Sequence, residues 1–287
     1  MRALAEFVMR GRLQATVVAS LAAASSLFTW VGAAVVALVV LRRGTAQGLV
    51  VLGWSLLAAL AVALWRSDLG PLTSLLGAAV VAQVLRTTVS WPLALVASSL
   101  LGAVVAVGFQ TVGSHYVDTL LQALGQLFAE MRQQLPAEQR ALLHDPVASQ
   151  VSGLLGLSTT IATVISLLLA RWWQSMLYNP GGFREEFHQL RMPPLLSTVL
   201  IGAGVLATLG GPAYYFWALL FAVPLVVAGF ALVHGAVALK GWQRTPLVIL
   251  YVTWLFSGWV KALLLLLAVV DSWWDFRGRI ARSKERR

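Results

Sequence analysis

Asp271 and Asp275 stand four residues apart near the C-terminal end of the chain. That spacing is about one helical turn and puts both carboxylates on one face. Paired carboxylates of this kind can hold a metal ion. Trp273, Trp274, Phe276 and Arg277 surround them, however. An aromatic belt at a membrane surface, with its acids paired to Arg277 or Arg279, accounts for the same residues more simply, and no metal is expected. His234 is the one histidine inside an apolar run. It suits a ligand contact or a proton relay, but a hydrogen bond between helices is its simpler use. Lys261 lies near the middle of the last apolar run, where a lysine costs roughly 2.5–3.5 kcal/mol to insert. Gln83, Gln110 and Arg86 complete the polar inventory of the apolar runs and their ends. His234, Lys261 and Gln83 are the candidates for touching a small ligand. There is no HExxH, GxSxG or Walker loop. There is also no cysteine, which excludes disulfides and thiolate chemistry. No catalytic residue and no cofactor are expected, and the chain is not expected to be an enzyme.

The elements that must position these residues are membrane helices. Hydrophobic residues make up 59% of the 287-residue chain and charged residues 11%, against about 25% charged in a soluble domain. The apolar runs are long and do not alternate, which favours helices over the strands of a barrel. The net charge is +10. The basic residues cluster at the ends of apolar runs, where they set orientation and meet anionic headgroups, so nucleic acid is not an expected partner and membrane lipid is.

Taken in order, the chain predicts an all-α polytopic bundle, a single integral membrane domain over 1–287, with about eight spans, or more if the first and last apolar runs are hairpins. The first run, Ala15–Leu41, weakens at Ser25–Trp30 and reads either as one tilted helix or as two half-helices. Leu49–Trp65, Pro71–Leu85, Pro92–Phe109, Val151–Ala170, Pro194–Leu209, Tyr214–Leu239 and Pro246–Val270 follow. Between the fourth and fifth of these runs lies a non-spanning insert, 111–150. There Val117, Leu120, Leu121, Leu124, Phe128, Met131 and Leu135 recur at helical spacing and predict an amphipathic helix. Such a helix lies on the membrane or on neighbouring spans, or docks a partner. Pro136 starts a second short helix ending near His144–Pro146.

The longest polar interruption in the second half is Arg171–Pro193. It opens with Trp172, Trp173 and Tyr178, breaks at Asn179-Pro180-Gly181-Gly182 and closes with a short helix. Phe183, Phe187 and Leu190 form one face of that helix, while Arg184, Glu185, Glu186, His188 and Arg191 take the rest. The positive-inside rule puts the basic tail 271–287 in the cytoplasm, on the strength of Arg277, Arg279, Arg282, Lys284, Arg286 and Arg287. The same rule puts Arg171–Pro193 there too. Three apolar runs separate the two segments, and three crossings would place them on opposite sides. A break at Ser257-Gly258 would repair the parity and move Lys261 towards an interface. The alternative keeps straight helices and places Arg171–Pro193 outside.

Three stretches carry a resemblance. Asn179–Arg191 (NPGGFREEFHQLR), Phe230–Gly235 (FALVHG) and Asp271–Arg277 (DSWWDFR) resemble motifs of the YybS-like family of bacterial multi-pass membrane proteins, and Arg42-Arg43-Gly44 after the first run agrees. The motif residues concerned include Asn179, Pro180, Gly181, Gly182, Phe183, Arg184, Phe187, Arg191, Asp271 and Asp275. That family is similar, remotely, to the substrate-binding S components of energy-coupling-factor transporters. The resemblance implies a bacterial inner-membrane protein that binds a small solute between its helices, lacks ATPase activity and depends on partners for energy. The alternative is a non-transporting scaffold or regulatory membrane protein. It would dock a protein partner through Val117–Leu135 or Phe183–Arg191.

Overall fold

The computed structural model describes residues 1–140 and 144–285, and every regular element among them is helical. The chain begins with α1 (Arg2–Arg10), α2 (Arg12–Ala24) and α3 (Thr29–Arg43). Ser25 is extended at the end of α2, and the Thr29 hydroxyl donates back to its carbonyl at 3.1 Å. The first apolar run is therefore two half-helices. They fold back on each other, because Arg43 at the end of α3 donates to the Met9 carbonyl at the end of α1. Gly32 permits the contact: a Cβ there would lie 2.8 Å from the Ala19 carbonyl. From Gly32 to Leu41 every residue of α3 is buried.

Next come α4 (Thr45–Arg66), α5 (Gly70–Thr88), α6 (Trp91–Thr111), α7 (Ser114–Gln134), α8 (Ala137–Arg140) and α9 (Ala148–Tyr178). Pro71 sits in the first turn of α5, where its missing N–H costs nothing. Ser90 caps α6 by accepting from the Leu93 N–H at 3.4 Å. The long helix α9 is the axis of this half. Its hydroxyls bridge to three neighbours: Thr159 to Thr73 at 3.1 Å, Thr160 to the Ser98 carbonyl at 3.3 Å, and Ser166 to the Trp30 carbonyl at 2.9 Å. Small residues and hydroxyls of this kind hold helices together where apolar burial against lipid drives nothing. The insert packs on its own bundle: Val117 is buried with Phe109 and Val151, and Leu120, Leu121 and Leu124 join them. The end of the second insert helix, near His144, falls partly outside the described residues.

The last part comprises α10 (Gly182–Gln189), α11 (Pro194–Thr208), a 3-10 turn at Pro212–Tyr214, α12 (Tyr215–Lys240), α13 (Thr245–Phe256), α14 (Gly258–Trp274) and α15 (Phe276–Glu285). The last apolar run breaks at Ser257, which is extended. The two halves flank α12 in opposite directions. On α13, Tyr251 meets His234 while Trp254 meets Phe230, so the helices are antiparallel. Along α14 and into α15, Gly229 faces Leu264 and Gly235 faces Arg277, so the direction is that of α12. The break thus returns the chain to the end of the bundle from which α13 set out. Arg171–Pro193 and Asp271–Arg277 lie at that same end and touch. Arg286 and Arg287 of the basic tail lie outside the described residues.

Among the described residues, four helices are long and apolar enough to cross a membrane: α4, α6, α9 and the segment Pro212–Lys240. The pair α10 and α11, bent by 69°, makes a fifth at most. The reading of about eight spans is not supported. Helix α5, with 19 residues, is long enough but not apolar enough, carrying Gln83 and Arg86. For the others the reason is length: α2, α3, α11, α13 and α14 have 13, 15, 15, 12 and 17 residues. At 1.5 Å per residue they reach roughly 18–26 Å, short of the ~30 Å hydrocarbon core. The arginines separate by end. Arg42, over the Tyr178 ring at 4.1 Å, Arg43, Arg86 and Arg171 gather with α10. The turns at Ser26 and Asp68, joined at 2.9 Å, mark the other end.

Candidate functional site

The short helix α10 packs on α12 and α9 at one end of the bundle, and its position is built in from the NPGG turn. Gly181 adopts a left-handed conformation (φ 95°) that a side chain would resist. The Ser175 hydroxyl donates to the Asn179 carbonyl at 2.7 Å and accepts from the Phe183 N–H at 2.9 Å, so it closes α9 and starts α10 together. Because Ser175 takes that first-turn N–H, the turn is a connector and not an anion cradle. Glu186 pins the helix by accepting from Arg171 and, at 3.2 Å, from the Trp91 indole. Phe183 packs on Trp91 with ring centroids 6.1 Å apart, and Phe187 packs edge-on to His234 at 5.5 Å.

Beyond α10 the chain is locked to the C-terminal segment. Asp271 and Arg277 are 2% and 8% exposed and pair at 2.8 Å. The other Arg277 nitrogen donates to the His188 and Leu190 carbonyls, both at 2.8 Å. Arg191 answers from the opposite side, donating to the Asp271 and Ser272 carbonyls at 2.9 Å and lying 3.6 Å from Asp275. Ser272 donates to the Ala268 carbonyl, so its 2.6 Å contact with Ser197 is one it accepts. The two aspartates are thus divided between two arginines, and the reading of paired acids with Arg277 describes Asp271.

A cleft of about 790 Å³ opens beside α10. Leu168, Leu169, Trp172 and Met176 of α9 form an apolar wall, and Arg184, His188, His234 and Tyr251 form its polar mouth. A neighbouring hollow of about 490 Å³ shares those four mouth residues and adds Trp242 and Arg244. His234 is held by the Phe230 carbonyl at 2.8 Å on Nδ1 and the Tyr251 hydroxyl at 3.1 Å on Nε2. A carbonyl only accepts, so Nδ1 carries a proton, and in the tautomer protonated there alone Nε2 accepts from the Tyr251 hydroxyl. This is the helix-to-helix bond that the sequence favoured. Burial, then the neighbouring Arg184, His234 and Arg277, hold the His188 imidazole below its ordinary pKa.

No family model, curated protein or solved structure matches the chain. The comparisons therefore do not bear on the resemblance to the YybS-like family. The structure brings those motifs together: NPGGFREEFHQLR, FALVHG and DSWWDFR meet around Arg277, which touches His188, Leu190 and the backbone side of Gly235.

The three ligand candidates do not converge. His234 lines the cleft, whereas Gln83 accepts from Thr45 at 2.6 Å across the α4–α5 contact. Lys261 sits in the first turn of α14 with its ammonium 5.4 Å from the Trp254 ring centre. Neither lines the cleft. Sequence reasoning passed over His188, Tyr251 and Arg244 as contacts. The available signal was His188 one turn after Arg184, on the helix already singled out.

Proposed function

We propose that this chain is a solute-binding component of a membrane transport system, with its ligand held in the cleft beside α10. One observation carries the reading: an apolar-walled cleft of about 790 Å³ with Arg184, His188, His234 and Tyr251 converging at its mouth. That volume lies within the 300–1,000 Å³ of ordinary ligand pockets, and a few placed polar groups on an apolar wall are their usual composition. The likeness to S components agrees with it, as fold-level analogy. In this reading the protein lies in the bacterial inner membrane with the arginine-rich end, and so the C-terminus, in the cytoplasm. Energy would come from a separate protein partner.

Native mass spectrometry of the purified full-length protein tests the ligand. A bound small molecule, lost in Met176→Trp, is the expected result. Absence of any bound molecule, with no ligand-induced rise in melting temperature, would sink the reading. Orientation is tested separately. Single cysteines at Glu185 and Arg282, both exposed positions, should react from the cytoplasmic face only.

A scaffold role is the second reading. It is favoured by Leu127 and Met131 of α7, which stay exposed after the first half of that helix has packed. Crosslinking from Leu127 should then capture one dominant protein partner, and a diffuse set of products would count against it.

A further inference from the structure

We infer that the occupant of the cleft is an anionic phospholipid taken sideways from the bilayer, with its phosphate between Arg184 and Arg244 and its acyl chains along α9. The inference rests on the cleft being a binding site and names the class of ligand. Four observations carry it.

The first is charge. Arg184 and Arg244 flank the hollow at the cleft mouth. Neither guanidinium has a hydrogen-bond or carboxylate partner among the described residues, whereas Arg2, also on the cleft lining, pairs with Glu6, and Arg171, Arg191 and Arg277 at the same end each lie against a carboxylate. No aspartate or glutamate lines either cavity. The site therefore presents uncompensated positive charge, and a phosphate takes two guanidinium groups in charge-assisted bonds.

The second is the gradient along the cleft. The mouth is cationic, but the wall formed by Leu168, Leu169 and Met176 is apolar and belongs to a helix long and apolar enough to span. A wholly polar solute would leave that wall bare, whereas acyl chains cover it.

The third is access. Helix α13, which carries Tyr251 of the mouth, leaves most of its side chains exposed, and Trp172 is 40% exposed at the cleft wall. The cleft is open rather than enclosed, and an exposed tryptophan beside the arginines at the end of a spanning helix is the kind of ring that sits at the headgroup level.

The fourth is the neighbourhood of the mouth. Lys240 lies 4.5 Å from the Trp242 ring centre, a cation–aromatic pair beside Arg244. That arrangement is an ordinary companion of an anionic membrane surface.

The test uses the full-length protein in detergent, analysed by native mass spectrometry after equal addition of dioleoylphosphatidylglycerol and dioleoylphosphatidylcholine. The phosphatidylglycerol adduct should survive activation and exceed the phosphatidylcholine adduct. Arg184→Gln and Arg244→Gln should each lower its retention about fivefold, the weight of one basic residue near a charged surface. Arg66→Gln, at the other end of the bundle, should leave retention unchanged. Met176→Trp should displace the lipid by filling the wall. Equal retention of the two lipids overturns the inference, and so does retention unaffected by both arginine variants. If inorganic phosphate competes as well as the lipid does, the site reads a headgroup alone and the acyl part of the inference fails. If a polar solute copurifies and Met176→Trp removes it while phosphatidylglycerol never binds, the cleft reading survives and the lipid is excluded. If Met176→Trp changes the binding of nothing, both fall. The two arginine variants are independent of each other, and each is scored only where its melting temperature matches that of the parent protein.

Discussion

The first and last apolar runs break at their middles and return to the end they left, yet they close differently. In the first, α2 buries Ala15, Ala19 and Ala23, one residue per turn, and α3 is buried almost throughout. That stripe of small residues lets two backbones approach directly. In the last, α13 reads TPLVILYVTWLF and has no fully buried residue, only half-buried ones such as Leu250 and Trp254. Phe256 and Trp259 beside the break are 87% and 86% exposed. The glycines that receive α14 belong instead to α12: a Cβ on Gly229 would strike the Leu264 carbonyl. A run folds back on itself only when it carries its own small stripe. Without one, its halves spread around a neighbour, and polar contacts must hold the end. Here those contacts are Arg277 with Asp271 and Arg191 with the carbonyls of Asp271 and Ser272.

The largest expected effect tests that division of labour. Arg277→Ala leaves Asp271 buried without its cation, and removing one partner of a buried pair costs about 3–5 kcal/mol. The loss should fall on the last half alone. Equilibrium unfolding in mixed micelles would measure it, and limited proteolysis should show new cuts at the α10–α11 connection but none between α2 and α3. A cost under about 1 kcal/mol would mean that the last run is held by apolar packing after all, and the contrast between the two runs would disappear.

A second change works on the other side of the comparison. Gly32→Val places branched carbons against the Ala19 carbonyl and the Ala22 side chain, 2.8 and 3.1 Å from a Cβ. Overpacking of this kind costs about 1–3 kcal/mol. Gly258, the glycine at the break in the last run, has nothing within 4 Å of a Cβ. Gly258→Ala should therefore be nearly neutral in the same unfolding assay. Equal costs at the two glycines would show that both hairpins depend on close approach, contrary to the packing described.

Both breaks were legible in the sequence, because Ser25-Ser26 and Ser257-Gly258 are small, polar interruptions inside long apolar runs. The amphipathic helix of the insert and the NPGG turn were legible for the same reason, since local periodicity and turn chemistry decide them. The number of spans was not. An apolar run states that its residues avoid water, and does not state whether it crosses once or folds back on itself. The conflict between the arginines of Arg171–Pro193 and those of the tail was the only trace of that, and it pointed to the break near Lys261. The contacts of Arg191 with Asp271 and Ser272 join residues some eighty positions apart, which no local pattern encodes. The same holds for the cleft. His234 was visible as a lone histidine, but Tyr251 and Arg244 come to it only because α13 doubles back along α12, and Arg184 because α10 packs on α12. Gln83 and Lys261 were singled out for being polar in apolar surroundings, and each satisfies that polarity with a neighbour outside the cleft.

The smallest effect belongs to the contact that holds α13 itself. Tyr251 stacks on Phe230 with ring centroids 5.5 Å apart and planes at 16°, and its hydroxyl donates to His234 Nε2. Tyr251→Phe keeps the ring and removes only the proton donor, so it isolates the hydrogen bond from the stack. Hydrogen bonds between membrane helices average about 0.6 kcal/mol, because the separated helices find other partners. A loss of that size in the micelle unfolding assay is expected. Tyr251→Ala, which also removes the stack, should cost more. Both His234 and Tyr251 line the cleft, so Tyr251→Phe should alter ligand retention more than it alters stability. A stability loss above about 2 kcal/mol would show that α13 is held as firmly as α3, and that the exposed half of the last run is no looser than the buried first one.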